Sequence, residues 1–399
     1  MPSLPPAPPS VVSAPAGESG IRWERAVCAI CGGEQSTFQL RVSHLIYGRE
    51  GSASIVRCDS CGHLYQSPRP TRDTIAGCYP SNYGPHVAAS ATDVDAAITP
   101  PASAAGPTGN SRSKPLPPAD SRAAKEPWYL SRFSRGVPGL RSFYYWLSDR
   151  WAAPLPPPPR PGARALELGC GAGGYLDQLA ACGWAVEGLE PADSPASRCR
   201  ARGLAVQTGG VESADFPSGV YDLVIAWMVV EHLHDPGAAL RQIHDWLRPE
   251  GTLMISVPHV ASWELRLWGE YHYILNEPTH LQHFSRSGIE RLLHEHGFPI
   301  RSLKFQENLY NHVGGLGIWL KSRFPSRSWG DRLLAFLDNP SMWGRLGLAL
   351  PAKLMAALGQ TGRMTIIADR ATAPNSPAAS ATVAQAGQAH PEASKRTDR

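Results

Sequence analysis

Three groups of residues in this 399-residue chain have the types and spacing to do chemistry. The first is a pair of C-x-x-C hooks, Cys28-x-x-Cys31 and Cys58-x-x-Cys61, with 26 residues between them. Each hook carries a glycine just after its second cysteine, Gly32 and Gly62, which suits the tight turn of a metal knuckle. Two such hooks can set four thiolates tetrahedrally around one zinc ion, a closed site that stabilises rather than catalyses. Disulfides are the competing use of the same cysteines. Residues 1–20, rich in Pro, Ser and Ala, lack the basic start and apolar core of a secretion signal, so reduced, metal-bound thiols in a cytoplasmic protein are expected. Cys78, Cys170, Cys182 and Cys199 follow no such spacing.

The second group is the turn Glu167-Leu-Gly169-Cys-Gly171-Ala-Gly173-Gly174, followed by Glu190, 21 residues after Gly169. Glycines there let the chain turn sharply and let a ligand approach the backbone at a helix N-terminus. Gly169, Gly171 and Gly174 satisfy G-x-G-x-x-G, so a nicotinamide dinucleotide and an NAD-dependent oxidoreductase remain alternatives. Glu190 can accept both hydroxyls of a ribose in either case. Glu167 separates the two ligands: a carboxylate is poorly placed beside a pyrophosphate and well placed beside an ammonium or sulfonium. The third group is Glu231-His232, with Glu270-Tyr-His272-Tyr273 and His280-Leu-Gln-His283 further on. A histidine with an ordinary pKa near 6.5 suits a general base near neutrality. Three histidines within twelve residues also suit an acceptor pocket, a metal site or plain packing.

These residues need elements to position them. The glycine-rich turn and Glu231-His232 each follow an apolar run of strand length. Strands are expected at 163–168, 185–189, 205–208, 221–226, 252–257, 300–306 and 364–368, alternating with helices in an α/β, Rossmann-like, doubly wound parallel sheet. Such sheets bind ligands at the carboxyl ends of their strands, where both carboxylate groups fall. The helix after the fourth strand is signalled by Asp235 as cap, Pro236 in its first turn, Leu240, Ile243 and Leu247 on one face, and Gly251 as its end. The next carries Ile289, Leu292 and Leu293, stops at Gly297, and opens on a Ser287-x-x-Glu290 capping box.

The organisation read from composition is a tail at 1–20, a small zinc-ribbon module at 21–83 with a hairpin between its hooks (Phe38, Leu40, Leu45 and Ile46, then Ile55 and Val56), and a polar linker at 84–125. An aromatic helical lead-in at 126–160 precedes the main domain at 161–370, and a tail fills 371–399. A helical insertion at 311–362 mixes Trp319, Phe324 and Trp329 with Lys321, Arg323, Arg327 and Arg332. It fits helices completing the core, a lid over the acceptor, or a peripheral membrane-surface segment. The formal net charge of +4 gives no extended basic field, which argues against a nucleic-acid partner. No apolar run reaches the roughly 18 residues that a membrane-spanning helix needs.

Taken together, Glu167-Leu-Gly-Cys-Gly-Ala-Gly173, Gly188-Leu-Glu190-Pro191 and Val230-Glu231-His232-Leu-His-Asp235-Pro236 resemble a class I S-adenosylmethionine-dependent methyltransferase over 164–370. Cys58-Asp-Ser-Cys61-Gly-His-Leu-Tyr-Gln-Ser-Pro68-Arg-Pro70 and Tyr79-Pro-Ser-Asn-Tyr83 resemble the metal-binding module ahead of some sugar C-methyltransferases. The resemblance implies S-adenosylmethionine as cofactor, structural zinc, and a small-molecule acceptor of the nucleotide-activated sugar or glycan-precursor kind, methylated at oxygen or carbon. It places Gly169, Gly171 and Gly173 on the methionine part, with Glu167 beside them. Glu190 falls on the ribose, and Val211 and Trp227 complete the cofactor set. His232 with Glu231, Tyr79 and His283 are the residues expected at the reacting atoms. Many relatives carry an acid where Gly210 stands, so backbone contacts from Val211 are expected to flank adenine. Quinone-pathway O-methyltransferases share Glu231-His232 but carry a metal-associated carboxylate where this chain has Met228.

Overall fold

Short strands make up the N-terminal part of the described residues. β1 (Val11–Val12), β2 (Trp23–Glu24) and β6 (Arg69–Pro70) make a small antiparallel sheet. β3 (Ser36–Ser43), β4 (Ser52–Cys58) and β5 (Leu64–Gln66) make an antiparallel meander, and alternation along β4 turns Ala53 and Ile55 inward. The computed structural model describes residues 11–12, 20–43, 52–79, 153–276, 278–338 and 342–371. The 84–125 linker, most of the aromatic lead-in, Leu45, Ile46, Tyr83 and nearly all of both tails lie outside the described residues.

The remaining strands are β7 (Arg164–Leu168), β8 (Ala185–Glu190), β9 (Ala205–Thr208), β10 (Tyr221–Trp227), β11 (Leu247–Pro258), β12 (Gln282–His283), β13 (Ile300–Phe305) and β14 (Arg363–Asp369). Seven form one sheet in the order β13-β14-β11-β10-β7-β8-β9. The helices are α1 (Gly174–Ala181), α2 (Asp193–Ala201), α3 (Pro236–Trp246), α4 (Trp263–Trp268), α5 (Arg286–Glu295), α6 (Tyr310–Arg323), α7 (Trp329–Asp338) and α8 (Met342–Ala357). The expected all-parallel sheet needs one correction, because β14 runs antiparallel to both β11 and β13. The helices α6–α8 start and finish at the same end of the sheet, so no crossover is made and the returning strand is inverted. That end is where the parallel strands finish, so the insertion sits on the ligand side.

Two helix boundaries also differ from expectation. Asp235 caps α3 through Oδ1, accepting from Ala238 N at 2.8 Å, but the helix ends at Trp246. Leu247 is already extended and opens β11, so Gly251 lies inside a strand. The cap of α5 is Ser285, whose Oγ accepts from Gly288 N at 3.1 Å; Glu290 pairs instead with Arg286, one turn back at 2.8 Å.

The N-terminal module and the large domain share one core. Cys28, Ile30, Val56, Cys58 and Tyr65 pack in the same buried cluster as Leu166, Val224, Leu253, Ile289 and Ile366. β12 pairs antiparallel with β5 and so extends the module's meander with a strand from the other unit. His63 Nε2 meets Gln282 Oε1 at 3.0 Å in this buried seam. Arg69 bridges Glu24 at 2.9 Å and donates to the carbonyl of His234 at 3.0 Å.

Candidate active site

A cavity of about 640 Å³ opens at the carboxyl ends of β7, β8 and β10 and is walled by both units. At one end is the glycine-rich turn. Gly169 and Gly171 line the cavity with left-handed φ of 67° and 51°. A side chain at Gly169 would also strike Val229 Cγ2 at 2.7 Å, so glycine is required there twice over. Gly173 departs from expectation. Also left-handed, at φ 77°, it precedes α1 and faces Cys199, Arg202 and Leu204, while Gly174 lines the cavity.

Glu190 ends β8, and its two oxygens accept from Gly171 N at 2.8 Å and Ala192 N at 2.9 Å. Burial raises its pKa, and those two backbone donors oppose the rise. A carboxylate oxygen can accept from more than one donor, which suits a group at a strand end beside the cavity to the hydroxyls of a diol. Glu167, on β7, also lines the cavity, 4% exposed, with Oε2 unpartnered among the described residues. Burial raises its pKa well above the ordinary carboxylate range, with Cys199, Glu190 and Asp177 adding to the rise. An unpartnered buried carboxylate aimed into a cavity calls for a cationic ligand group. Val211, in the short turn 211–213 after Gly210, and Trp227, edge-on to Tyr175 at 5.5 Å, complete this end.

At the other end, Tyr79 reaches in from the N-terminal module, its Oη 3.0 Å from His232 Nδ1. The same nitrogen lies 2.9 Å from the carbonyl of Thr279. His280 stands edge-on to His232 with ring centroids 4.6 Å apart, and Asn276 Nδ2 reaches His280 Nε2 at 3.3 Å. Burial lowers the pKa of His232 to about 4 and that of His280 well below 6.5, where His232 and His283 add to the effect. Both imidazoles are therefore neutral at pH 7, and the burial that keeps them neutral makes them weaker bases than the ordinary histidine expected from the sequence. Glu231 is fully buried behind them rather than on the cavity wall, with neither oxygen partnered among the described residues. Burial lifts it to about 8, against the opposing charge of Arg363.

His283 does not join this group. It lies in β12 opposite Leu64, away from the cavity wall, and burial with neighbouring His272 depresses it to about 3. His280, in the same sequence segment, is the histidine that faces the site. Tyr273, from the third group read in the sequence, also lines the cavity, as do Arg72, Asn276 and Arg363, which were not singled out as site residues. Arg72, which pairs with Glu212 across the two units, lies beside the quoted cysteine segment, yet nothing local marks it as a wall of a distant site.

The four cysteines of the hooks converge. Cys28 Sγ is 3.5 Å from Cys61 Sγ, Cys31 Sγ is 3.5 Å from Cys58 Sγ, and all four sulfurs lie within 4.8 Å of one another. A tetrahedral ion with metal–sulfur bonds of about 2.3 Å needs sulfurs roughly 3.8 Å apart, so the set fits zinc. Burial raises the Cys28 thiol. At Cys58 burial is outweighed by the backbone N–H groups of Cys61 and Ser60, which bring it down to about 7.

Residues 142–303 match the family of methyltransferase domains. A probable S-adenosylmethionine-dependent methyltransferase of Mycolicibacterium smegmatis is 28% identical over 137 residues, 31% of this chain and 50% of its own length. A ubiquinone biosynthesis O-methyltransferase of Bradyrhizobium diazoefficiens is 34% identical over 101 residues, 24% of this chain and 40% of its own. The chain thus spans half or less of these curated relatives. Among solved structures, geranyl diphosphate C-methyltransferase from Streptomyces coelicolor is 14% identical with a TM-score of 0.38, covering 55% of this chain and 72% of that one. The seven-stranded sheet and the glycine-rich turn fall largely within the stretch 142–303 that is similar to methyltransferase domains. Among the described residues no helix is long and apolar enough to cross a membrane.

Proposed function

We propose that the protein transfers a methyl group from S-adenosylmethionine to a hydroxyl or carbon nucleophile of a small molecule, with a nucleotide-activated sugar or glycan precursor as the acceptor class. The observation that carries this reading is one cavity with two chemically different ends. The unpartnered Glu167 and the diol-ready Glu190 stand at one; Tyr79, His232 and His280 stand at the other. When bound, the cofactor supplies an electrophilic methyl on a sulfonium centre. Glu167 pairs with the ligand's ammonium, Glu190 holds the ribose, and the Val211 backbone flanks the base.

At the acceptor end, Thr279 O can only accept, so Nδ1 of neutral His232 carries the ring proton and Nε2 is the nitrogen able to receive one. His280 is a second neutral acceptor within reach of the same space. Tyr79 supplies a hydroxyl to orient the acceptor, and Glu231 lies buried behind the pair. Holding acceptor and methyl in line is the largest contribution such an enzyme makes, on the order of 7–11 kcal/mol in favourable cases. The Cys28, Cys31, Cys58 and Cys61 thiolates would hold a structural zinc that keeps Tyr79 at its post.

Calorimetric titration with S-adenosylhomocysteine and, separately, with NADH tests the donor assignment. Micromolar binding of the first and none of the second is expected, and the reverse would overturn it. For the acceptor end, Tyr79→Phe and His280→Asn should each lower kcat by roughly a hundredfold with donor affinity unchanged. A kcat near wild type in both would remove these residues from the chemistry. A second reading, metal-assisted O-methylation, has one observation in its favour: ligand atoms of Glu231, His232 and His280 lie within 4.8 Å of one another. It requires activity that a chelator abolishes and magnesium or manganese restores.

A further inference from the structure

The helical insertion presents an apolar and basic band to solvent. Along α8, Trp343, Leu350 and Leu354 are 76%, 62% and 63% exposed, and their spacing of seven and four places them on one side of the helix. Leu358, just beyond its end, continues the stripe. The opposite side of the helix is the buried one, carrying Ala349, Ala352 and Ala356.

The band continues across neighbouring elements. Trp263 N donates to Gln360 Oε1 at 3.0 Å, which brings the end of α8 to the start of α4. Trp263 and Leu267 are exposed one turn apart, and Leu267 shares a surface groove with Arg266, Leu316 and Trp319. Trp319 stacks edge-on to Phe324 at 6.3 Å, and Phe324 to Trp329 at 5.8 Å. Basic side chains lie among these rings: Arg323 is 5.7 Å from the Phe324 centroid and Arg327 is 5.6 Å from that of Trp329. Arg266 and Arg332 are exposed alongside. Glu270 is the acid in the groove, and Asp331 is held by Lys321 at 2.9 Å.

We propose that this band docks the enzyme on an anionic lipid surface, as a peripheral contact rather than a span. Tryptophan and leucine side by side with arginine suit the boundary between headgroups and acyl chains, where apolar burial and attraction to anionic lipid act together. Charge also decides against a second copy of the chain as occupant. A two-fold interface centred on the Trp319–Trp329 segment would set arginines of one copy against arginines of the other. The position gives docking a consequence. α6 packs through Gly314 against Tyr273, which lines the acceptor end of the cavity, so a bilayer at the band lies beside the elements that cover that end.

The inference stands independently of the methyl-transfer reading, and its test measures binding alone. The full-length protein is floated with phosphatidylglycerol-rich vesicles and with pure phosphatidylcholine vesicles. Flotation with the first, weak flotation with the second and release by salt are expected. The double variant Arg323→Glu/Arg327→Glu should lose at least tenfold in vesicle affinity, and so should Leu350→Ser/Leu354→Ser, with S-adenosylhomocysteine affinity and Tm unchanged. Failure of the wild type to float with anionic vesicles overturns the proposal. So does light scattering that finds a dimer in solution which Leu350→Ser/Leu354→Ser splits, because the band is then covered by a second copy.

Discussion

Glu167→Gln gives a direct test of how the donor end works. The carboxyl is 4% exposed, has an oxygen unpartnered among the described residues, and is held by burial well above its ordinary pKa. Burial therefore favours the protonated form of this group in the ligand-free enzyme. An ammonium placed against it reverses that preference, so binding of S-adenosylhomocysteine should eject up to one proton per site. A hydrogen bond to a charged partner contributes about 1.5–3 kcal/mol, and each 1.4 kcal/mol is tenfold. Replacing the carboxyl by an amide of the same shape should thus weaken binding roughly ten- to 150-fold. Calorimetry in two buffers of different ionisation enthalpy reads both quantities. The wild type should show a buffer-dependent enthalpy and the Gln variant should not. If wild-type enthalpy is the same in both buffers and the variant binds as tightly, the carboxylate does not meet a cation and the donor assignment loses its main support.

Other perturbations report on the rest of the structure. Glu231, lifted to about 8 by burial, contributes stability that is fully present below pH 4.5 and is lost as pH rises through 8. Glu231→Gln should therefore be more stable than wild type at pH 9, by on the order of 4 kcal/mol, with the difference vanishing toward pH 4; thermal melts at the two ends check the sign. Arg69→Ala leaves part-buried Glu24 without this partner and frees the His234 carbonyl, so a loss of about 3 kcal/mol and faster proteolysis of the N-terminal module are expected. Cys58→Ser should abolish bound zinc in metal analysis of pure protein; a full complement of metal in that variant would show the ion is held elsewhere.

The parts of the molecule legible in the sequence are those set by local chemistry. Near-continuous apolar runs such as Leu223-Val-Ile225 mark buried parallel strands, and all seven expected strands of the sheet form. Asp235-Pro236 marks a helix start because a short acceptor side chain and a missing N–H both suit the first turn. The expectations that fail share a different cause. Ser285 and Ser287 are equally plausible caps by sequence, and the choice falls to whichever lets Ile289, Leu292 and Leu293 face the core. Which histidine faces the acceptor was likewise undecidable locally. His280 and His283 differ only in that β12 joins a meander from the N-terminal module, a pairing between Leu64 and His283 that buries the second ring and leaves the first at the cavity.

That pairing bears on why the N-terminal cysteine module is joined to the large domain at all. Every residue assigned to the donor, from Glu167 to Trp227, belongs to the large domain, whereas Tyr79 comes from the module and meets His232 across 153 residues of sequence. The module needs a rigid seat for that contact to be held at 3.0 Å. It has two: the β5–β12 pairing, and the buried cysteine cluster packed in the common core. On the proposed function, donor recognition is then a property of one unit and acceptor recognition a property of the seam. Losses at the four cysteines should therefore reach turnover through Tyr79 before they reach donor affinity through Glu190.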